Sequence, residues 1–250
     1  MADDDAALRA LRVIADAAGR SRPRTAADFS DPDVPVAATV VLLREGDAGP
    51  EVLMIRRPDR GSFGGAWVFP GGRLDAADGD PAIEEAAARA AARRETREET
   101  GLELDAGGLV PLSCWDPPPG IALRIRTWFF LGSDPGGELA PEPQEVDAVE
   151  WTRPADVLAR HARGELTLYP PTFVTLDDLA GHADVQAILE TARISGLKRY
   201  ATVAREGAGG PMLLWHGDAD YEDDRSSAVG AASRHRLDLS RLPWVYTRTP

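Results

Sequence analysis

"RRETREETGL", Arg93 to Leu102, places six charged side chains in seven positions ahead of a glycine. On a helix, Glu98 and Glu99 follow Glu95 by three and four residues, so the three acids share one face near its C-terminal end. Like charges there are unfavourable twice over. They repel one another, and they sit at the negative end of the helix dipole, each effect costing roughly a few tenths to 1 kcal/mol at an exposed site. Two arrangements offset that cost. Arginines can pair with the acids, Arg94 with Glu98 and Arg94 or Arg97 with Glu95, as on an ordinary solvated helix end. A bound divalent cation offsets more, because magnesium and manganese prefer clusters of oxygen donors.

The residues around this stretch predict its setting. "PAIEEAAARAAARRETREET", starting at Pro81, is rich in alanine, glutamate and arginine and has no internal glycine or proline. It predicts a long helix, with Pro81 in the first turn and Gly101 just past the end. Upstream, Val36 to Leu43 and Val52 to Arg57 predict a β-hairpin. A glycine-dense loop, "PDRGSFGGAWVFPGGRLDAADGDP", follows, with a short strand at Trp67 to Phe69. Downstream, strands are expected at Leu109–Trp115, Ile121–Gly132 and Glu145–Arg153, helices at Pro154–Arg163 and Asp184–Ser195, and late strands at "PMLLW" and "WVYTR". "LTLYPPTFVTLDDLAG" is expected to dock on the preceding domain. A short helix over Ala6–Ala18 and a linker complete a division into 1–34, 35–165 and 166–250.

Composition narrows the function. The chain has 250 residues, 43% of them apolar, enough for a sizeable core. Its net charge of −13 and the absence of a basic stripe argue against nucleic-acid binding. The longest apolar run, Val36 to Leu43, is too short to span a bilayer, so no membrane partner is expected. The acidic start Met1-Ala2-Asp3-Asp4-Asp5 is unlike a secretory or transit leader, which predicts a cytoplasmic protein. The lone cysteine, Cys114, allows no intramolecular disulfide and is expected to be a small buried side chain. The four histidines are isolated, without metal-ligand spacing.

The glycine loop carries the second group of candidates. Gly71 and Gly72 lack a Cβ, so their backbone carbonyls can approach an ion closely. Arg56, Arg57, Arg60 and Arg73 flank them in an otherwise acidic chain. Guanidinium forks match phosphate oxygens, although solvated loop arginines have the same sequence appearance. Phe63 and Trp67 can stack on a base or pack in the core.

"FPGG" at Phe69–Gly72 followed by "RETREETGL" at Arg94–Leu102 resembles the two halves of the Nudix box of the nucleoside-diphosphate-linked hydrolases. The resemblance covers about Val36 to Ala180. It implies an α+β Nudix fold, a mixed sheet sandwiched between helices, and hydrolysis of a diphosphate linkage with Mg2+ or Mn2+. By resemblance, Glu95, Glu98 and Glu99 with the carbonyl of Gly72 or Gly71 hold metal, and Arg94 orients a glutamate. Glu98 and Glu145, the latter six residues before Trp151, compete as catalytic base, ahead of Glu142 and Glu150. The implied ligand is a nucleotide-type small molecule, with Arg56, Arg57, Arg73 and Phe63 as its binding residues.

Two departures qualify the resemblance. Gly72 and Arg94 lie twenty-two positions apart, about eight more than the fourteen of the family spacing, which predicts an insertion within "RLDAADGDPAIEE". The family glutamate eight residues before the arginine falls on Ala86, with Glu84 and Glu85 out of register, which puts the loop geometry in question. The enlarged box and "YPPTF" at Tyr169–Phe173 are similar to the branch of the animal peroxisomal coenzyme A diphosphatases. Coenzyme A or its thioesters are therefore expected beside ADP-ribose, NADH and (d)NTPs, and a ligand-sensing domain without turnover is the alternative. Residues after 165 are expected to cap the site or to form a homodimer surface.

Overall fold

The computed structural model describes residues 22–29, 31, 33–61, 63–121, 124–222 and 233–249. The helix expected over Ala6–Ala18 lies outside them. The β-branched run after Pro35 forms β1 (Val36–Gly46), which turns directly into antiparallel β2 (Gly49–Arg56), with Gly46 facing Gly49. β3 (Trp67–Val68) extends the sheet beyond β2, and β4 (Gly71–Arg73) pairs with the start of β1. β5 (Val110–Asp116) and β6 (Arg126–Ser133) are antiparallel to each other, and β6 runs parallel to β1. β7 (Ala148–Thr152) pairs with β2, and β8 (Lys198–Ala201) runs parallel to β5. The order is β3-β2-β1-β6-β5-β8, a mixed sheet.

The alternation of side chains gives this sheet two apolar faces. Ala38, Val40, Leu42, Trp128 and Phe130 point to α1 (Glu84–Thr100), which answers with Ala88, Ala91 and Ala92. Three small side chains let the helix lie close against the strands. Val41, Leu43, Phe129 and Leu131 point the other way. They pack with the C-terminal half of the chain, including Phe173, Leu176, Leu189 and Trp215. That half supplies α2 (Pro154–Ala162), α3 (Pro170–Ala180), α4 (Val185–Ser195) and a second sheet. The second sheet comprises β9 (Val203–Gly207), β10 (Gly210–Leu214), β11 (His235–Asp238) and β12 (Val245–Arg248), in the order β12-β11-β10-β9. The α+β architecture, with a mixed sheet between helices, agrees with the expectation from the sequence.

The ends of α1 are set by local chemistry. Asp80 caps a 3-10 turn at Pro81–Ile83, and the α-helix proper starts at Glu84. Gly101, at φ 77°, ends it, donating its N–H to the Arg97 carbonyl. Two expectations shift. The strand foreseen from Ile121 begins at Arg126. The docking segment "YPPTFVTLDDLA" is a helix, because Pro170 and Pro171 occupy its first turn, where a missing N–H costs nothing. Among the described residues no helix is long and apolar enough to cross a membrane.

Candidate active site

The last turns of α1 lie against β4, and the two glycines make that contact possible. Gly71 has φ 154°, and a Cβ there would overlap the Ala38 carbonyl and the Thr39 backbone. A Cβ on Gly72 would overlap the Glu95 carboxylate. Glu99 is fully buried; its Oε2 accepts the Gly71 N–H at 2.8 Å, and its Oε1 lies 2.6 Å from Arg57 Nη2. That second contact lacks hydrogen-bond geometry, so Oε1 is an orphaned buried acceptor despite the adjacent charge. Burial pushes the Glu99 carboxyl up to about 8, against the pull of Arg57 and the Gly71 N–H. The ion pair and the upward shift point opposite ways, and burial wins because no water reaches the group.

The ladder decides which glycine carbonyl is free to face the site. Val40 donates to the Pro70 carbonyl at 2.9 Å and Leu74 to the Val36 carbonyl at 3.0 Å. Antiparallel alternation then makes Ala38 and Gly72, midway between them, a hydrogen-bonded pair. The Gly72 carbonyl therefore faces β1. The Gly71 carbonyl turns away from β1 and accepts from Arg57 Nη2.

Arg94 ties the site together. Its Nε and Nη2 hold Asp78 at 3.0 and 2.8 Å, Nη1 holds Glu95 at 2.8 Å and Glu98 at 3.0 Å, and Nη2 also donates to the Arg73 carbonyl. Burial pushes the Asp78 carboxyl up, but Arg94 and the Asp75 N–H more than offset it, so it titrates below the ordinary range. Asp78 also corrects the register. An acid eight residues before the arginine in a spacing of fourteen stands six residues after the glycine, and six residues after Gly72 is Asp78. The insertion therefore follows Asp78, and the acid looked for at Ala86 is supplied from the glycine side.

A cavity of about 620 Å³ opens beside these groups. Glu95, Gly71, Gly72, Arg57, Arg60, Arg73, Phe63 and Glu145 line it. Arg60 donates to the Gln144 carbonyl, next to Glu145, whereas Arg73 makes no side-chain hydrogen bond or ion pair among the described residues. Phe63 sits edge-on to Tyr169 with ring centroids 4.7 Å apart. Arg56 does not line the cavity; it lies within β2 between Trp67 and Ala148. Trp67 is buried beneath Arg160. Glu142 does not line the cavity either, and Glu150 is ion-paired to Arg160. Glu98 is 44% exposed and faces Arg94 rather than the cavity.

The far end of the cavity is apolar. Trp115, Phe129, Leu213 and Trp215 line it, and sequence reasoning found none of them as site residues. One row of cross-strand partners connects the two ends: Arg73, Ala37, Thr127, Trp115 and Tyr200, on five strands.

The donor set near Gly71 consists of oxygens alone, the chemistry that magnesium and manganese select. Among the described residues no three acidic, histidine or cysteine side chains already stand at ligand separation, and Arg94 Nη1 bridges Glu95 and Glu98. Glu99 Oε1, which accepts no hydrogen bond, the Glu95 carboxylate pressed on Gly72 and the outward Gly71 carbonyl fit such an ion by their chemistry, and the ion would displace Arg57 Nη2 from Oε1 and from that carbonyl.

Residues 33–170 match the family model described as NUDIX domain. Among solved structures, the chain is similar to a NUDIX hydrolase from Alicyclobacillus acidocaldarius, at 26% identity over 66% of this chain and 97% of that one, with a TM-score of 0.58. It is more distantly similar to the NUDIX domain of Shewanella oneidensis NrtR complexed with ADP ribose, at 19% identity over 62% of this chain and 96% of that one, TM-score 0.45. A C. elegans Ap4A hydrolase binary complex matches at 18% identity over 63% of this chain and 99% of that one, TM-score 0.40. No curated protein matches the chain.

Proposed function

The chain belongs to the Nudix family and is one of its hydrolases, and from the site it carries we propose that it cleaves the diphosphate linkage of a nucleoside-diphosphate-linked small molecule in a divalent-metal-dependent reaction. Coenzyme A and its thioesters are the first substrates to test, followed by ADP-ribose, NADH and (d)NTPs. The observation that carries this reading is the packing of Glu95 on Gly72 and of Glu99 on Gly71 beside a cavity edged by Arg57, Arg60 and Arg73.

Glu95, Glu99 and the Gly71 carbonyl would hold Mg2+ or Mn2+, with Glu98 closing the carboxylate face on the solvent side. When bound, the ion neutralises the diphosphate and stabilises charge developing on the leaving oxygen. Arg73, whose side chain makes no hydrogen bond or ion pair among the described residues, and Arg60 bind the phosphate oxygens. Arg94 positions Glu95, and Asp78 in turn fixes Arg94. Glu145 is the proposed base rather than Glu98, because it lines the cavity and Glu98 does not. It takes a proton from water as the water oxygen bonds to phosphorus and the bridging P–O bond breaks. The products are two phosphomonoesters.

The test is a panel of coenzyme A, ADP-ribose, NADH and oxidised dNTPs, each incubated with the protein and Mg2+. Cleavage at the diphosphate of at least one, abolished by EDTA and restored by excess Mg2+, is the expected result. Tight binding of one compound with no turnover of any would overturn the reading in favour of a sensing domain.

A further inference from the structure

The apolar end of the cavity joins Trp115 and Phe129, inside the 33–170 match, to Leu213 and Trp215, outside it. Trp115 on β5 stacks on Tyr200 of β8, with ring centroids 3.8 Å apart and planes 4° from parallel. Trp215, just after β10, closes on both edge-on, at 5.7 and 5.6 Å. The polar handles of both indoles are already taken. Trp115 Nε1 donates to Ser113 Oγ at 2.9 Å, and Trp215 Nε1 donates to Thr202 Oγ1 at 3.0 Å. Leu213 and Phe129 add only carbon. Asp116, which also lines this end, gives Oδ1 to Arg126 Nε at 2.6 Å, while its buried Oδ2 has no hydrogen-bond partner and lies 3.7 Å from Arg199 Nη1. Beyond Asp116 Oδ2, itself buried, and the Thr127 and Thr202 hydroxyls, a nucleobase placed here would meet few partners for its ring nitrogens and amino groups, and each one left unpaired is unfavourable. A triphosphate tail would have to be desolvated against carbon, which is costlier still.

We infer that this wall determines substrate choice: the group on the far side of the diphosphate is an extended apolar chain, alkyl or acyl. The inference rests on the proposed diphosphatase reading and deepens it. Three strand steps separate β4 from β5, about 14 Å at the usual spacing of strands. The diphosphate stays with Arg57, Arg60 and Arg73, and the chain crosses Thr127 to reach Trp115, Leu213 and Trp215. Free nucleoside triphosphates have nothing to place there and are poor substrates.

The test uses adenosine diphosphate esters of straight-chain alcohols, from methyl to dodecyl. Turnover is followed with Mg2+, and binding is followed separately without metal through tryptophan fluorescence, which Trp115 and Trp215 report from the cavity wall. Both kcat/KM and metal-free affinity should climb about fourfold per added methylene until the end is filled. Leu213→Phe, checked for folding by thermal melting, should move the optimum to shorter chains. A length dependence that is flat in both assays would overturn the inference, and so would a folded Leu213→Phe protein with an unchanged optimum. Affinity that climbs with chain length while no ester is cleaved would support the apolar wall and overturn the hydrolase reading. If Leu213→Phe does not fold, the wild-type series decides alone.

Discussion

The two ends of the cavity are assembled in opposite ways. The charged end draws most of its groups from a single window, Gly71 to Glu99, brought together by one helix lying on one short strand. The apolar end joins Trp115 to Leu213 and Trp215, about a hundred residues away, and it exists only because β8 adds to the sheet beside β5 and β10 follows. Reaction chemistry is written locally in this protein, whereas the surface that meets the rest of the ligand is a product of tertiary assembly.

The sharpest test of that division is to remove one carboxylate. Glu95→Gln or Glu99→Gln should lower kcat by about a thousandfold, as expected for loss of a metal-holding group. Steady-state kinetics with alkyl esters would show whether the gain in affinity per methylene survives; if it collapses too, the two ends are not independent. Gly71→Ala should come next. Its φ of 154° and the overlap with the Ala38 carbonyl should cost about 2–4 kcal/mol, read as a lower urea midpoint. An unchanged midpoint would mean that β4 does not brace the charged end.

Asp78→Ala frees Arg94 and should cut kcat by about tenfold to a hundredfold with KM nearly constant, through misplacement of Glu95. Asp78→Glu should restore much of the rate, which a purely structural role would not require. Equal changes in KM and kcat would count against positioning.

The smallest effect belongs to the apolar side. His161 is buried between Phe173 and Trp244, and burial holds its pKa below 6.5 even though Nδ1 meets the Leu166 carbonyl. The folded state thus binds its proton less readily than the unfolded chain. Its contribution to stability is complete above about pH 6.5 and is lost as pH falls through the lower folded value. Burial lowers His235 in the same sense. Between pH 7 and 5 each histidine should therefore lower stability by no more than about 1.4 kcal/mol per pH unit, against an opposing slope from Glu99, whose raised carboxyl binds its proton more readily in the folded chain. In thermal melts, His161→Phe should lose less stability, or gain more, from pH 7 to 5 than the parent chain does; an identical pH dependence would place the acid-sensitive group elsewhere.

What could be read from the sequence follows the same division. α1, its glycine stop and the acids on one face obey rules that span a few residues, so they were legible. Arg56 and Arg57 looked equivalent because both end a strand, and only the packing decides which one reaches the cavity. Asp78 was missed because the register was counted back from Arg94 across the insertion rather than forward from Gly72. α3 is not foreseen, the segment being expected only to dock, because its helical start rests on a pair of prolines that form its first turn. β4 and β8 are three and four residues long, and their identity comes wholly from the strands they join. No local pattern announces that Trp215 will meet Trp115.

The grip of Arg94 on Asp78 has a consequence for how this chain tolerates changes in length. The bridge closes the loop on the near side of the insertion, so the exposed residues from Gly79 to Ile83, with their Asp80-capped 3-10 turn, lie outside the closed ring. Lengthening a loop of that kind costs only about 0.6 kcal/mol for each doubling, and none of it need reach the carboxylates. A foreign peptide, a fluorophore tag or a tether to a surface could be spliced in there, a few residues from the chemistry yet mechanically isolated from it.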